Sequence, residues 1–214
     1  MWGSTWFSGG RRSSDGTQSS AGRRPANVRW PSVARRVERV VRYAIVAVFG
    51  AGLRQRNWGA VVNATLALVA ASLPDRLERR YGVEFRPWQR LYAGVAMLAH
   101  AVGMLGPYDE QGYWDHVTHT LSATLLGGTV YVAAQRRDRD PRPRVLAAIG
   151  VGGLVWELLE YAVHAISDRL GVESVLIPYS TRDTLLDLVF NLVGAALVLA
   201  FGDRLLRNFT RREN

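Results

Sequence analysis

The stretch Trp114 to Thr120, "WDHVTHT", sets Asp115, His116 and His119 close together between a bend ("GPYDEQGY") and an apolar run. Two imidazoles and a carboxylate offer nitrogen and oxygen donors of the kind that hold zinc, manganese or iron, while an all-oxygen subset suits magnesium or calcium. Further along, "VWELLEYAVH" places Glu157, Glu160 and His164 at i, i+3 and i+7, a single stripe on a helix. In "YSTRDTLLDLVFNLVG", Arg182 precedes Asp183, Asp187 and Asn191, which recur every four residues down one helical face. His100 stands alone in an earlier apolar stretch. The "HVTH" spacing is i, i+3 rather than the i, i+4 of HExxH, so a zincin-type protease is not supported.

These residues are carried by six apolar stretches, at 40–53, 59–73, 91–106, 117–134, 145–166 and 184–202. A bilayer needs about 20 apolar residues per helix, so the shorter stretches also fit a soluble helical bundle. The mean hydropathy of −0.02 does not decide the matter, because it averages a polar leader with these stretches. Arginine placement does. Nine arginines lie up to Arg42, five between the second and third stretches, five between the fourth and fifth, and four after the sixth. The intervening connections hold two, none and two, a split of 23 against 4. Membrane topology sorts basic residues in this way and a soluble bundle does not. The expected fold is all-α, a polytopic membrane bundle of about six transmembrane helices with both termini cytoplasmic. Trp58, Trp88, Tyr92, Tyr108, Tyr113 and Trp114 fall near the ends of the stretches, where amphipathic rings favour the headgroup layer.

In that arrangement the ionisable residues of four helices share one depth near the outer side. Buried charge in hydrocarbon is costly, so such groups face the bundle interior or a water-filled cavity. Asp115 and Asp183 could also serve as helix caps, and His100 as a hydrogen-bonded core histidine. Capping does not explain Glu157, about two turns deep, nor Asp187 and Asn191, which lie past the first turn where the helix dipole has faded. Three accounts cover the set: a divalent cation held by residues such as His116, His119, Glu160, His164 and Asp187, with Asp115 and Asp183 beside them; carboxylates that share protons; or interhelical hydrogen bonds, at about 0.6 kcal/mol each. Glycines 127, 128, 150, 152, 153 and 194 read as close-packing positions between helices.

Several chemistries are excluded outright. The chain has no cysteine, hence no disulfide and no thiolate metal site, and all 27 of its Lys+Arg residues are arginine, which removes Schiff-base chemistry. Residues 1–38 are rich in Gly, Ser and Arg without periodicity and read as a disordered basic cytoplasmic tail. Residues 39–207 form the expected membrane domain and 208–214 a short cytoplasmic tail. No nucleic acid is expected; the partner is the lipid bilayer, of the cell membrane, and the substrate is unknown.

The order Asp115-x-x-x-His119, Glu157-x-x-Glu160, Arg182-Asp183 and Asp187-x-x-x-Asn191-x-x-Gly194 resembles the VanZ-like membrane proteins and, more closely, the YjdF-like family of small inner-membrane proteins. The resemblance spans roughly residues 108–200, with His116 and Glu160 where VanZ-like sequences favour Lys and Gln. "DHVTHT" also resembles a His-rich segment of the YdjM-like predicted metal-dependent membrane hydrolases. The VanZ-like resemblance implies a cell-envelope role, and the YjdF-like one supplies no reaction. The enzyme reading is metal-assisted hydrolysis of an envelope or lipid substrate, with His119, Glu160, His164 and Asp187 as ligands, Glu157 as general base and Arg182 as anion contact. A proton- or cation-coupled transporter is the alternative, against which stands the lack of an internal repeat. A structural or accessory subunit is the third class.

Overall fold

A computed structural model describes residues 32–178 and 180–210. The described residues form helices without a strand: α1 (Ser32–Gln55), α2 (Trp58–Ala71), α3 (Leu73–Tyr81), α4 (Pro87–Gly103), α5 (Pro107–Glu110), α6 (Trp114–Gln135), α7 (Pro141–Leu170), α8 (Thr181–Leu205) and α9 (Arg207–Thr210). Four of the six apolar stretches lie within one helix each, while 59–73 crosses from α2 into α3 and 91–106 runs three residues past the end of α4. Most of the expected polar leader, residues 1–31, and residues 211–214 lie outside the described residues; α1 begins at Ser32, earlier than the expected boundary at 39. The arginines of its first turns do not break it, because arginine is a good helix former.

The helix ends follow from local chemistry. Asp140 caps α7, accepting from the backbone N–H of Arg142 at 3.0 Å, and Pro141 occupies the first turn, where its missing N–H costs nothing. At the other end Gly171 takes φ 66°, the left-handed conformation that closes a helix. Ser180 caps α8 by accepting from the Asp183 N–H at 3.1 Å.

The helices pack as two groups of three. Val41, Ile45, Val48, Ala64, Ala67 and Ala101 join α1, α2 and α4, whereas Ala123, Tyr131, Val145, Ile149, Ala195 and Val198 join α6, α7 and α8. Contacts between α4 and α6 connect the groups. Helix directions can be read from bonds between their ends. Asn57 before α2 donates to Met104 O after α4 at 2.6 Å, and Arg42 on α1 donates to Ala71 O at the end of α2 at 3.1 Å. His116 faces Asp187 near the starts of α6 and α8, and Tyr131 donates to Asp203 near their ends, so these two helices run parallel, and α7, which follows α6 in the chain, packs against both in the opposite direction.

Three segments are long and apolar enough to cross a membrane: α2 continued through Ser72 into α3 (Trp58–Tyr81), α7 and α8, with mean hydropathy 1.2, 1.5 and 2.1. The remaining three stretches, on α1, α4 and α6, are helical without reaching that standard. Arginines dilute α1, the Asp/His cluster dilutes α6, and the 17 residues of α4 span only about 26 Å at 1.5 Å per residue, short of a hydrocarbon core of about 30 Å. The exterior differs from that of a water-soluble bundle. Only 22% of the apolar window of α7 is buried, with Val151, Leu154, Val155, Leu158 and Leu159 facing out, while Thr118, His119, Glu157, Asp187 and Asn191 are buried. An apolar exterior, with the buried polar groups gathered inside beside the apolar cores, is what lipid as solvent demands.

At the end opposite to the histidines, Arg90 of α4 is 6% exposed in its side chain and pairs with Asp75 and Glu78 of α3 and, at 3.6 Å, with Glu38 of α1. Arg42 adds bonds to Glu38 at 2.8 Å and Asp75 at 3.0 Å. Gln89 donates to Leu205 O at 2.9 Å, tying the start of α4 to the end of α8. The arginine-rich helix ends therefore gather at one pole of the bundle and the His/Asp cluster at the other.

Candidate metal centre

The spacing of α6 puts Asp115 and His119 one turn apart on the face that meets α8, and His116 beside them. On α8 the same periodicity aligns Asp183, Asp187 and Asn191 toward α6. His119 Nε2 lies 3.4 Å from Asp115 Oδ1 and 3.9 Å from Asp187 Oδ1, and His116 Nδ1 lies 3.4 Å from that same Asp187 oxygen. Two sets of ligand atoms result, Asp115/His119/Asp187 and His116/Asp183/Asp187, each with its atoms within 4.8 Å of one another. Ligands about 2.1 Å from a shared ion sit at most about 4.2 Å apart, so closure needs only small side-chain adjustments. The His116 ring stacks on Phe190, centroids 4.5 Å apart and planes at 10°, which fixes its orientation.

Close helix approach makes this convergence possible. A Cβ added at Gly194 of α8 would lie 2.6 Å from Ala123 Cβ and 2.8 Å from Thr120 O of α6, so nothing larger than hydrogen fits. One turn above, Thr120 Oγ1 donates to Phe190 O at 3.2 Å and stitches the same seam.

Glu157 enters from α7. It is 4% exposed, and neither carboxylate oxygen makes a hydrogen bond; Thr184 lies close without meeting hydrogen-bond geometry. Its charge is near enough to act on His119, Asp115 and Asp183. A buried, unpartnered carboxylate is expensive and asks for a counter-charge. Glu160, one turn on, accepts from Trp156 Nε1 at 2.9 Å and lines a cavity of about 140 Å³ together with Asp115, His119, His100, Tyr108 and Asn57. The cavity thus draws its walls from both three-helix groups.

Other expected site residues sit apart. His164 Nε2 faces Asp168 at 3.5 Å on its own helix, with 39% of its side chain exposed, and it belongs to neither ligand set. Arg182 is exposed in the first turn of α8. Asn191, by contrast, stays at the cluster: it is 7% exposed, packs under Gly153 of α7 and reaches His119. Capping is discharged by Ser180 in α8, and α6 starts at Tyr113 without a side-chain cap, which leaves the carboxylates of Asp183 and Asp115 to the cluster.

His100 is held by hydroxyls. Its Nε2 meets Ser122 Oγ at 2.6 Å and its Nδ1 meets Tyr108 Oη at 3.1 Å. Tyr108 in turn donates to Thr118 Oγ1 at 3.2 Å, and Thr118 donates to Asp115 O at 2.8 Å. Burial pushes the Tyr108 phenol well above its ordinary range, so it remains a donor. Sequence reasoning did not single out Tyr108, Thr118 or Ser122 as partners of His100; Thr118 inside "HVTH" was the available signal. The Arg90 cluster was likewise missed, although Glu38 and Arg42 at i, i+4 pointed toward it.

A family model described as "Predicted membrane protein (DUF2238)" matches residues 37–208, from the first turns of α1 to α9. No curated protein and no solved structure matches the chain.

Proposed function

We propose, from the premise that the chain belongs to the DUF2238 family of predicted membrane proteins, that it is a multi-pass protein of the cell membrane whose α6–α8 bundle binds a divalent cation. The observation that carries this reading is the convergence of Asp115, His119 and Asp187 next to the unpartnered carboxylate of Glu157. In the membrane the chain is read as six spans with both termini cytoplasmic, a basic tail before α1 and a short one after α9. The gathering of arginine-rich ends at one pole of the bundle supports that arrangement. The narrower YjdF-like identity rests on the residues of α6 to α8 that carry the site.

The reaction class we propose is metal-assisted hydrolysis of a lipid or cell-envelope ester. A bound ion supplies Lewis-acid activation. Burial without a partner supports Glu157 as a counter-charge to the ion, and its place on the cavity wall supports Glu160 as the base; this exchanges the roles expected from the sequence. Glu160 takes a proton from water as the water oxygen attacks phosphorus or the carbonyl carbon. The bond to the leaving alkoxide breaks, and Glu160 returns the proton to that oxygen. Arg182, exposed at the start of α8, is the anion contact at the rim. The cavity shared by the two three-helix groups favours a second reading, cation- or proton-coupled transport, in which the same carboxylates carry the cargo.

Chelation tests the reading. Detergent-purified protein should contain a divalent metal, and removing it should lower the melting temperature, since a ligand at 100 times its Kd stabilises by about 2.7 kcal/mol. Asp187→Asn should be insensitive to chelator. Glu160→Gln should keep the metal and, if hydrolysis is the activity, lose turnover of phospholipid or lipid-linked phosphate substrates. A wild type that carries no metal and ignores chelator after prolonged dialysis refutes the cation site; metal binding with ion uptake into proteoliposomes and no hydrolysis would favour transport.

A further inference from the structure

We infer that the site is dinuclear, with Asp187 bridging two divalent cations, one held by Asp115 and His119 and the other by His116 and Asp183. This rests on the cation reading above and specifies its stoichiometry and ligand assignment. The two ligand sets have Asp187 in common and nothing else. His116 and His119, one turn apart on α6, approach the same oxygen, Asp187 Oδ1, at 3.4 and 3.9 Å. They are donors to different sets, so the shared carboxylate stands between them rather than belonging to either. Asp187 is 2% exposed, as a bridging ligand in a dry site would be.

Charge points to the same number. Apart from the base Glu160, which keeps its own charge, Asp115, Asp183, Asp187 and Glu157 carry four negative charges when ionised, and the chain has no lysine to offset them. Arg182, the nearest arginine in sequence, is exposed. One divalent ion would leave two charges uncompensated in a low-dielectric interior, whereas two divalent ions neutralise the group. Glu157, buried to 4% exposure with both oxygens unpartnered, is the independent sign that a cation is wanted there. Its charge acts on His119 and Asp115, ligands of the first ion, and on Asp183, a ligand of the second, so it is a counter-charge shared by the pair. Three ligands leave each ion with positions for water or substrate, and those of the first ion face the cavity, which Asp115 and His119 line together with Glu160. Donors of nitrogen and oxygen without sulfur suit manganese(II) or zinc. Paired ions about 3.5–4 Å apart clamp the attacking and leaving oxygens of an in-line displacement, which gives the arrangement a use in hydrolysis.

The experiment counts manganese. Metal-stripped, full-length protein in detergent is titrated with manganese(II), bound metal is measured by elemental analysis, and the spectrum is recorded by electron paramagnetic resonance. Wild type should bind two ions per chain with an exchange-coupled spectrum. His116→Phe retains the stack on Phe190 and should bind one ion, giving an isolated six-line spectrum. Asp183→Asn should do the same, and Asp115→Asn should also fall to one ion. Wild type saturating at one uncoupled ion overturns the bridge while leaving the cation reading standing. No manganese or zinc bound by wild type overturns both. Two ions retained in both His116→Phe and Asp183→Asn overturns the ligand assignment, and the wild-type count is unaffected by whether any single variant folds.

Discussion

Replacing Gly194 by alanine tests the seam on which the site is built. The added Cβ would sit 2.6 Å from Ala123 Cβ, about 1 Å inside an ordinary carbon–carbon contact, and 2.8 Å from the Thr120 carbonyl oxygen. Neither neighbour is the flexible end of a side chain, so α8 must move away from α6. Overpacking of this kind costs about 1–3 kcal/mol, offset in part by the roughly 1 kcal/mol that alanine gains over glycine in a helix interior. Gly150 supplies the control, because a Cβ there meets nothing within 4 Å and should leave stability unchanged or raise it. In a thermal-shift assay Gly194→Ala should melt below Gly150→Ala, with a gap equivalent to about 1–3 kcal/mol. The displacement also separates Asp115 and His119 on α6 from Asp183 and Asp187 on α8, so manganese affinity should fall in Gly194→Ala and hold in Gly150→Ala. Equal melting temperatures and equal affinities for the two variants would refute the close α6–α8 approach.

Arg90→Met should destabilise by about 3 kcal/mol or somewhat less, because it strands Glu78 and leaves Asp75 with Arg42 alone, and these side chains, 28% and 33% exposed, are partly screened by water. Arg90→Lys should recover little of this, since a single ammonium cannot fork between carboxylates on two helices; wild-type melting of Arg90→Met would show that the cluster is not structural. For topology, a reporter fused after Asn214 should be cytoplasmic and one inserted beside Gln111 external. Both on one side would end the six-span arrangement.

Periodicity made the helices legible. Val145 to Ile166 and Thr184 to Gly202 read as long apolar helices and are so, and the four-residue recurrence of Asp183, Asp187 and Asn191 correctly placed them on one face. What sequence could not give was partnership across helices. His164 shares a stripe with Glu157 and Glu160 on paper, yet seven residues carry it nearly two turns onward, to where its neighbour is Asp168. His100 and Asp115 read as separate buried groups because the hydroxyls that link them, on Tyr108 and Thr118, belong to residue types too common to signal anything. Arg90 counted toward a basic loop, and only tertiary packing shows it drawn inward between α1 and α3. Local spacing fixes a face; which face it meets depends on the whole chain.

The hydroxyl chain from Ser122 to Asp115 has a direction. Thr118 has a single hydroxyl hydrogen and spends it on the Asp115 carbonyl, so Tyr108 must donate to Thr118. The Tyr108 oxygen then accepts from Nδ1–H of His100, and the bare Nε2 accepts from Ser122. His100 is thereby locked in the Nδ1–H tautomer, with no lone pair left to offer a metal. The file ends on a peptide carbonyl, which takes up no proton, so it carries none; it fixes the rotation of the side chains it joins. Beside the cavity, the row of hydroxyls is a brace rather than a wire.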